Sequence, residues 1–374
     1  MSGFRTFAAP GRVEISGNHT DHQRGFVLAA AVDLETRCTA APNGTDTVRV
    51  DSEGFGVSEV DMTDLSVRES EKGTTAALIR GVAAWLKSRG CALRGFDGRV
   101  SSGVPAGAGL SSSAAFEVMI CCVFRELSGA VISPLDIASA GQYAENVYFG
   151  KPSGLMDQVT SAYGGLVMID FLDPENPLIS PVRADFGRYA LCVVNTGGSH
   201  ADLTQNYAEI NYEMKAVSNA FGKDYLREVD EVSFFASIAG LRRLGDRAIL
   251  RAIHFFGENR RVPAQAAALR NGDMGTFLKL VRDSGRSSLQ YLQNAHDPAA
   301  PGEQGLTLAL ALSERILGER GACRVNGGGF AGTILAFVPD ELKTGYKREM
   351  ENVFGASACS FLNIRENGGG EVTP

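Results

Sequence analysis

Near the start of the chain, Asn18, His19, Thr20, Asp21, His22, Gln23 and Arg24 form an unbroken run of hydrogen-bonding side chains. The run follows Arg12 to Ser16, which alternates as a strand does. A polar turn at a strand end is suited to hold a polar ligand, with Arg12 delivered beside it. Two acids further along offer chemistry. Asp157 follows Gly154-Leu155-Met156 and precedes a helical run. It reads either as a helix-start aspartate or as a base beside a sugar hydroxyl, kept ionised by Arg12. Glu145 lies in an apolar, helix-like segment, as a solvated glutamate or as a carboxylate able to hold Mg²⁺. Tyr207, in the polar stretch that leaves Asn195 through two glycines, reads as a core tyrosine or as one that stacks on a sugar. His200 and Asp202 are near enough in sequence to pair locally, and no chemistry is assigned to them.

The glycine-rich stretch Pro105 to Val118 points to a different ligand. Gly107 and Gly109 permit backbone conformations closed to other residues, so that successive amides can face one anion. Leu110 follows, and Ser111, Ser112 and Ser113 open an apolar helix whose N-terminal amides and dipole favour bound phosphate. A chain of net charge −7 needs such a local device to hold a nucleoside triphosphate. The sequence contains no G-x-x-x-x-G-K-[ST] run. Gly327 to Gly332 does fit G-x-G-x-x-G, but apolar, β-branched residues follow where a dinucleotide fold needs a helix. A glycine hairpin lining a cleft is expected there instead.

Strands and helices must position these groups. Strands are expected at Arg12 to Ser16, Thr47 to Val50, Phe96 onwards, Gly164 to Asp173 and Tyr189 to Gly197. Helices are expected at Thr74 to Gly90, from the serines at 111–113 to Leu127, and at Leu306 to Leu317. A helix-rich stretch covers Ala201 to Leu292, and Cys323 to Pro339 reads as strand, glycine loop and strand. The tail from Gly368 to Pro374 is expected to fray. A chain of 374 residues suits two domains, and the Pro-, Asp- and Asn-rich segment Asp173 to Arg188 is a natural boundary.

Composition excludes several classes. The 44% hydrophobic and 21% charged content is ordinary for a globular protein, and the acidic balance gives no basic field for nucleic acid. No run of roughly 18 apolar residues appears, so neither a membrane span nor a signal peptide is expected. The seven cysteines form no C-x-x-C pair and read as reduced thiols of a cytoplasmic protein; the five histidines lack zinc-ligand spacing near them.

Three stretches then belong together. GRVEISGNHTDHQRGFVL from Gly11, GVPAGAGLSSSAAFEV from Gly103 and VNGGGFAGT from Val325 occur in the order, and near the spacing, of the three GHMP kinase signatures. That superfamily comprises galactokinase, homoserine kinase, mevalonate kinase and phosphomevalonate kinase. The first stretch resembles the galactokinase signature G-R-[VI]-N-L-I-G-E-H-T-D-Y-x-x-G-F-V-L. Ala144 to Gln158 resembles the galactokinase A-E-N…G-I-M-D-Q segment, and Asn195 to Tyr207 resembles its stretch leading to a sugar-contacting tyrosine.

The resemblance implies an α+β fold of two domains, here 1–185 and 186–374, with the active site in the cleft between them. It implies transfer of the ATP γ-phosphate to the anomeric hydroxyl of a galactose-like sugar. By motif position, Asp157 and Arg12 are the catalytic pair, and Asn18, His19, Asp21, Gly154 and Tyr207 are sugar contacts. Gly107, Gly109, Leu110, Ser111, Ser112 and Ser113 match the phosphate loop, and Glu145 with Ser113 (or Ser112) the Mg²⁺ site. Partners are then a small sugar and ATP, with no nucleic acid and no membrane, in a monomer or weak homodimer. The chain also departs from the family. Asn18 stands where galactokinases usually have the Glu that contacts the C6 hydroxyl, His22 where they have Tyr, and Asn326 and Ala331 where Thr and Gly are common. Galacturonate, whose C6 carboxylate a Glu would repel, is thus a rival substrate, since plant galacturonokinases have a non-acidic residue there. A non-catalytic sugar sensor is the other alternative, against which the intact serine loop and Asp157 stand.

Overall fold

The computed structural model describes residues 3–105, 107, 109–198 and 203–373. His200 and Asp202 lie outside the described residues. The strands are β1 (Arg5–Ser16), β2 (Phe26–Pro42), β3 (Thr47–Ser52), β4 (Gly56–Asp61), β5 (Phe96–Ser102), β6 (Leu166–Asp170), β7 (Leu178–Pro181), β8 (Tyr189–Asn195), β9 (Ala322–Asn326), β10 (Thr333–Pro339), β11 (Cys359–Leu362) and β12 (Gly370–Val372). The helices are α1 (Thr75–Ser88), α2 (Ser112–Ser128), α3 (Pro134–Tyr143), α4 (Met156–Tyr163), α5 (Thr204–Asn219), α6 (Glu231–Ala236), α7 (Ile238–Leu241), α8 (Asp246–Arg270), α9 (Met274–Ser287), α10 (Gly305–Leu317) and α11 (Lys343–Phe354).

The fold is mixed α and β, built on two sheets. The larger runs β12-β1-β2-β5-β3-β4, with β6 also paired to β2 and β7 to β6. Its pairs are antiparallel except β3 with β5. The smaller sheet is antiparallel, in the order β11-β8-β10-β9. β2 is long because its two halves meet different neighbours: Phe26 to Ala30 pair with β6, and Thr36 to Pro42 with β5. The first half is apolar on both faces and buried on both, whereas the second half alternates.

Helices α1 to α4 cover one face of the large sheet, around Phe7, Val27, Val118 and Val123. On the other face, Val13, Ile15, Leu28 and Ala30 pack against Val262 and Ala266 of α8, Phe277 of α9 and Phe337 of β10. That second core joins the two sheets. A third core lies between the small sheet and α10 and α11, and a fourth among α5 to α8.

The glycine stretch after Asn326 is a loop between antiparallel strands, with Thr333 opposite Asn326. One segment differs from the sequence expectation. Residues Gly370 to Val372 form β12 and pair with β1 instead of fraying, because Gly369 N–H donates to Ser161 O and Glu371 pairs with Arg5 at 2.6 Å. Glu145 sits in a single π-helical turn, Ala144–Phe149, continuing α3, an irregularity that recurs at functional sites. No helix among the described residues is long and apolar enough to cross a membrane.

Candidate active site

The strand β1 carries Arg12 to the point where α2 and α4 begin. Arg12 Nε donates to Asp157 Oδ1 at 2.7 Å and Nη2 donates to Oδ2 at 2.9 Å, a bidentate pair. Its remaining Nη1 donates to Gly109 O at 2.7 Å, and the Arg12 amide to Leu110 O at 3.0 Å. The arginine side chain is 8% exposed but that of Asp157 is 28% exposed, so the carboxylate opens to solvent while its partner does not. Ser111 Oγ adds a 2.5 Å hydrogen bond to Asp157 Oδ2. Burial alone would raise the Asp157 pKa. The Arg12 charge, its hydrogen bonds and Ser111 outweigh that, and the carboxyl is held below its ordinary value.

The serine at the head of α2 is therefore not a cap. Ser111 has left-handed backbone (φ 58°) and makes no side-chain cap bond, its hydroxyl going to Asp157. Gly109 is also left-handed (φ 66°), and a Cβ there would sit 2.7 Å from Thr333 Oγ1. Gly107 has φ 73°, and Leu110 is buried beneath the loop. The first amides of α2, at Ser112 and Ser113, face a position suited to an anion by the helix dipole.

Ser113 Oγ donates to Glu145 Oε1 at 2.9 Å, and Lys151 Nζ reaches the same oxygen at 2.9 Å. Gln158 Nε2 holds the other oxygen at 3.0 Å and also donates to Glu117 Oε2 at 3.0 Å. Glu117 is fully buried, its pKa pushed well above the ordinary value by burial and by Glu145. A hydroxyl and a carboxylate oxygen make a hard donor pair. They fit Mg²⁺, which takes one or two protein oxygens and completes its shell with phosphates and water. Among the described residues, no group of three or more His, Cys, Asp or Glu could form a protein-only metal cage.

The polar turn after β1 packs against the glycine hairpin. His19 Nε2 lies 2.9 Å from Gly328 O, which as a carbonyl can only accept, so His19 Nδ1 must accept from His22 Nε2 at 3.3 Å. Burial lowers the His19 pKa to about 4, and that of His22 falls well below its ordinary value. Tyr207 stacks on His19 at 6.0 Å between ring centroids, and its hydroxyl donates to Gly329 O at 3.1 Å. Asp21 lies against Gly154: a Cβ on that glycine would fall 2.2 Å from Asp21 Oδ2. Burial, with Glu14 and Asp157 nearby, raises the Asp21 pKa to about 6.

Asn18 is different. It is fully buried, and its amide donates to Glu14 Oε1 at 3.0 Å and to Gly327 O at 2.6 Å. Its carbonyl accepts from Asn294 Nδ2 at 2.6 Å and Ser288 Oγ at 3.4 Å. All four of its side-chain hydrogen bonds go to protein.

Several residues that hold this site escaped the sequence reading. From α8, His254 Nε2 lies 2.9 Å from Asn18 O, and Asn259 Oδ1 accepts from Phe26 N at 2.9 Å. Glu258 Oε1 accepts from Ser16 Oγ, Gly17 N and Ser284 Oγ at 2.7, 2.9 and 2.6 Å, while Oε2 pairs with Arg261. The His254–Glu258 spacing, four residues on a helix, was the available signal. From the small sheet, Asn326 accepts from Glu14 N and donates to Gly109 O, both at 3.0 Å. Arg324, fully buried, donates to Glu14 O and to Glu14 Oε1, both at 2.9 Å. The two sheets are thus pinned together beside the glycine loop at Gly109.

Comparison with known proteins points to one family. The family description "GHMP kinases N terminal domain" matches residues 77–165, and "Galactokinase galactose-binding signature" matches residues 2–42. The chain is 32% identical over 342 residues to a galactokinase of Actinobacillus pleuropneumoniae, covering 91% of this chain and 86% of that one. It is 32% identical over 344 residues to a galactokinase of Glaesserella parasuis serovar 5, covering 90% and 86%. Its fold is similar to the crystal structure of Lactococcus lactis galactokinase complexed with galactose, with TM-score 0.85 and 23% identity over 99% of this chain and 95% of that one.

Proposed function

Because the chain belongs to the galactokinase family, we propose that it transfers the γ-phosphoryl group of ATP to the C1 hydroxyl of galactose. The observation that carries this reading is the Asp157 carboxylate, gripped by Arg12 and Ser111 at the junction of glycine loop and polar turn.

Phosphoryl transfer depends on positioning and charge neutralisation more than on covalent chemistry. In this reading Asp157 accepts the hydrogen bond of the C1 hydroxyl and turns its oxygen toward the γ-phosphorus. Its lowered pKa keeps it an acceptor but makes it a weak base, which suits a loose transition state with late proton transfer. Arg12 fixes that carboxylate and places positive charge beside the loop. Backbone amides from Gly107 to Ser113, with Gly109, Leu110, Ser111 and Ser112 between, hold the triphosphate. A kinase of this kind needs a divalent cation, and Ser113 (or Ser112) and Glu145 are the residues that would hold Mg²⁺. When bound it supplies neutralisation of the phosphate oxygens.

His19, Asp21, Gly154 and Tyr207 border the sugar, and Asn18 supports the turn from behind. The domains follow the segments 1–185 and 186–374, except that β12 returns from the second to the sheet of the first, with the cleft between them. The seven cysteines are all free, which fits the reducing, ATP-rich cytoplasm. Galactose is preferred to galacturonate because the similar proteins are galactokinases.

Incubation with Mg-ATP and galactose, galacturonate, N-acetylgalactosamine or arabinose, followed by ADP release, tests the reading. Turnover is expected with galactose. Turnover with galacturonate alone would overturn the substrate, and no turnover with any sugar would overturn the kinase.

A further inference from the structure

Glu14 is a buried carboxylate with one oxygen fully engaged and the other free. Oε1 accepts from both Arg324 Nη2 and Asn18 Nδ2, at 2.9 and 3.0 Å. Oε2 accepts no hydrogen bond from any described residue, although the whole residue is only 3% exposed. A nearly buried carboxylate oxygen left open in this way is costly unless something donates to it.

Its surroundings are those of the sugar end of the site. Glu14 lies two residues from Arg12 on β1, and so on the same face of the strand. The charges of Glu14 and Asp157 both act on Asp21, and that of Arg12 acts on Glu14. Glu14 therefore belongs to the cluster formed by Arg12, Asp21 and Asp157. Asn18, by contrast, has every side-chain hydrogen bond directed into the protein.

The sequence supplies a second, independent observation. In the signature quoted above, Asn stands at the position of Glu14 and Glu at that of Asn18. This chain has the two residue types exchanged, and the exchanged side chains touch. The local count of one carboxylate and one amide is unchanged, but the carboxylate is delivered from the strand and not from the turn. Arg324 fixes it by a two-point grip on Glu14 O and Oε1.

We propose that Glu14 Oε2 accepts a hydrogen bond from a sugar hydroxyl and is a specificity-determining residue of this chain, with Arg324 and Asn18 as its positioning residues. The proposal rests on the sugar-kinase reading above. A carboxylate placed there selects neutral hydroxyl donors and disfavours an anionic sugar.

The test compares wild type and Glu14→Gln on galactose and its 2-, 3-, 4- and 6-deoxy analogues. For Glu14→Gln, KM for galactose is expected to rise about tenfold or more while KM for ATP is unchanged, the size of losing a hydrogen bond to a charged acceptor. With one deoxy sugar, the one lacking the hydroxyl that Glu14 receives, wild type and variant should become equal. A uniform penalty on all five sugars, or no change in KM for galactose, would overturn the proposal. Should Glu14→Gln not fold, the exchange variant E14N/N18E carries the test. Recovery of galactose kcat/KM to within several-fold of wild type supports it, and loss despite a native thermal transition overturns it. Wild type inactive on every sugar would instead sink the underlying function.

Discussion

Arg12 grips both oxygens of Asp157, and the same guanidinium reaches Gly109 O. One side chain thus ties the Asp157 carboxylate to the glycine loop at Gly109. Asp157→Asn keeps the shape but loses the charge and one acceptor. Its kcat is expected to fall about a hundredfold or more, with KM for ATP little changed. A near-normal kcat would remove Asp157 from the reaction.

Gly154 is the floor beneath Asp21. A methyl group at that position would lie 2.2 Å from Asp21 Oδ2, too close for the carboxylate to stay. Gly154→Ala should therefore raise KM for galactose about tenfold while leaving KM for ATP alone, the pattern of a lost ground-state contact. Steady-state kinetics with each substrate varied decides this, and an equal rise in both constants would locate the damage elsewhere.

Glu258 holds Ser16, Gly17 and Ser284 through one oxygen and Arg261 through the other; burial pushes its pKa up, but Arg261, His254, Arg324 and the Ser284 hydrogen bond together hold it well below the carboxylate range. Glu258→Gln leaves the Arg261 guanidinium without its counter-charge in a buried setting. A loss of about 3 kcal/mol is expected, read as a shift in urea midpoint at unchanged m-value. A stability within error of wild type would mean the turn is held by its other anchors.

The buried histidines set the acid limit. Burial holds His19 and His254 at about 4 in the folded protein, against 6.5 ordinarily. Between those values the unfolded chain binds more protons, so stability rises with pH and is lost as pH falls from 6.5 toward 4. Asp21 has the opposite sign. Raised to about 6, it binds a proton in the folded state that the unfolded chain has released, so it offsets part of the loss. Calorimetric Tm should drop across this window, and more steeply in Asp21→Asn. Parallel curves for the two proteins would show that Asp21 is not raised.

The sequence made the strand-and-turn at Arg12 to Asp21 and the serine-headed α2 readable because each is local: alternation, glycines and serines lie within one short window. Asp157 and Arg12, 145 residues apart, were readable as a pair through the motif resemblance, since a carboxylate's need for a cation does not choose among so many basic residues. The first half of β2 was not readable, since a strand buried on both faces has no alternation to show. Asn18 shows the other limit. Residue type marks it as polar and unusual, but which way its amide points depends on Glu14, Asn294 and Gly327, two of them from the far end of the chain. His254 and Glu258 were hidden for the same reason, being tied to the turn across more than 230 residues.

The pairing of β12 with β1 bears on how the protein is made. Thr6 to Ala8 find their outer neighbours at Gly370 to Val372, so β1 keeps an open edge until those residues have left the ribosome. Its other edge can pair with β2 much earlier. A chain interrupted before residue 370 would expose the backbone of the arginine-bearing strand to any other strand nearby. Premature termination should therefore yield aggregates and not a functioning N-terminal half.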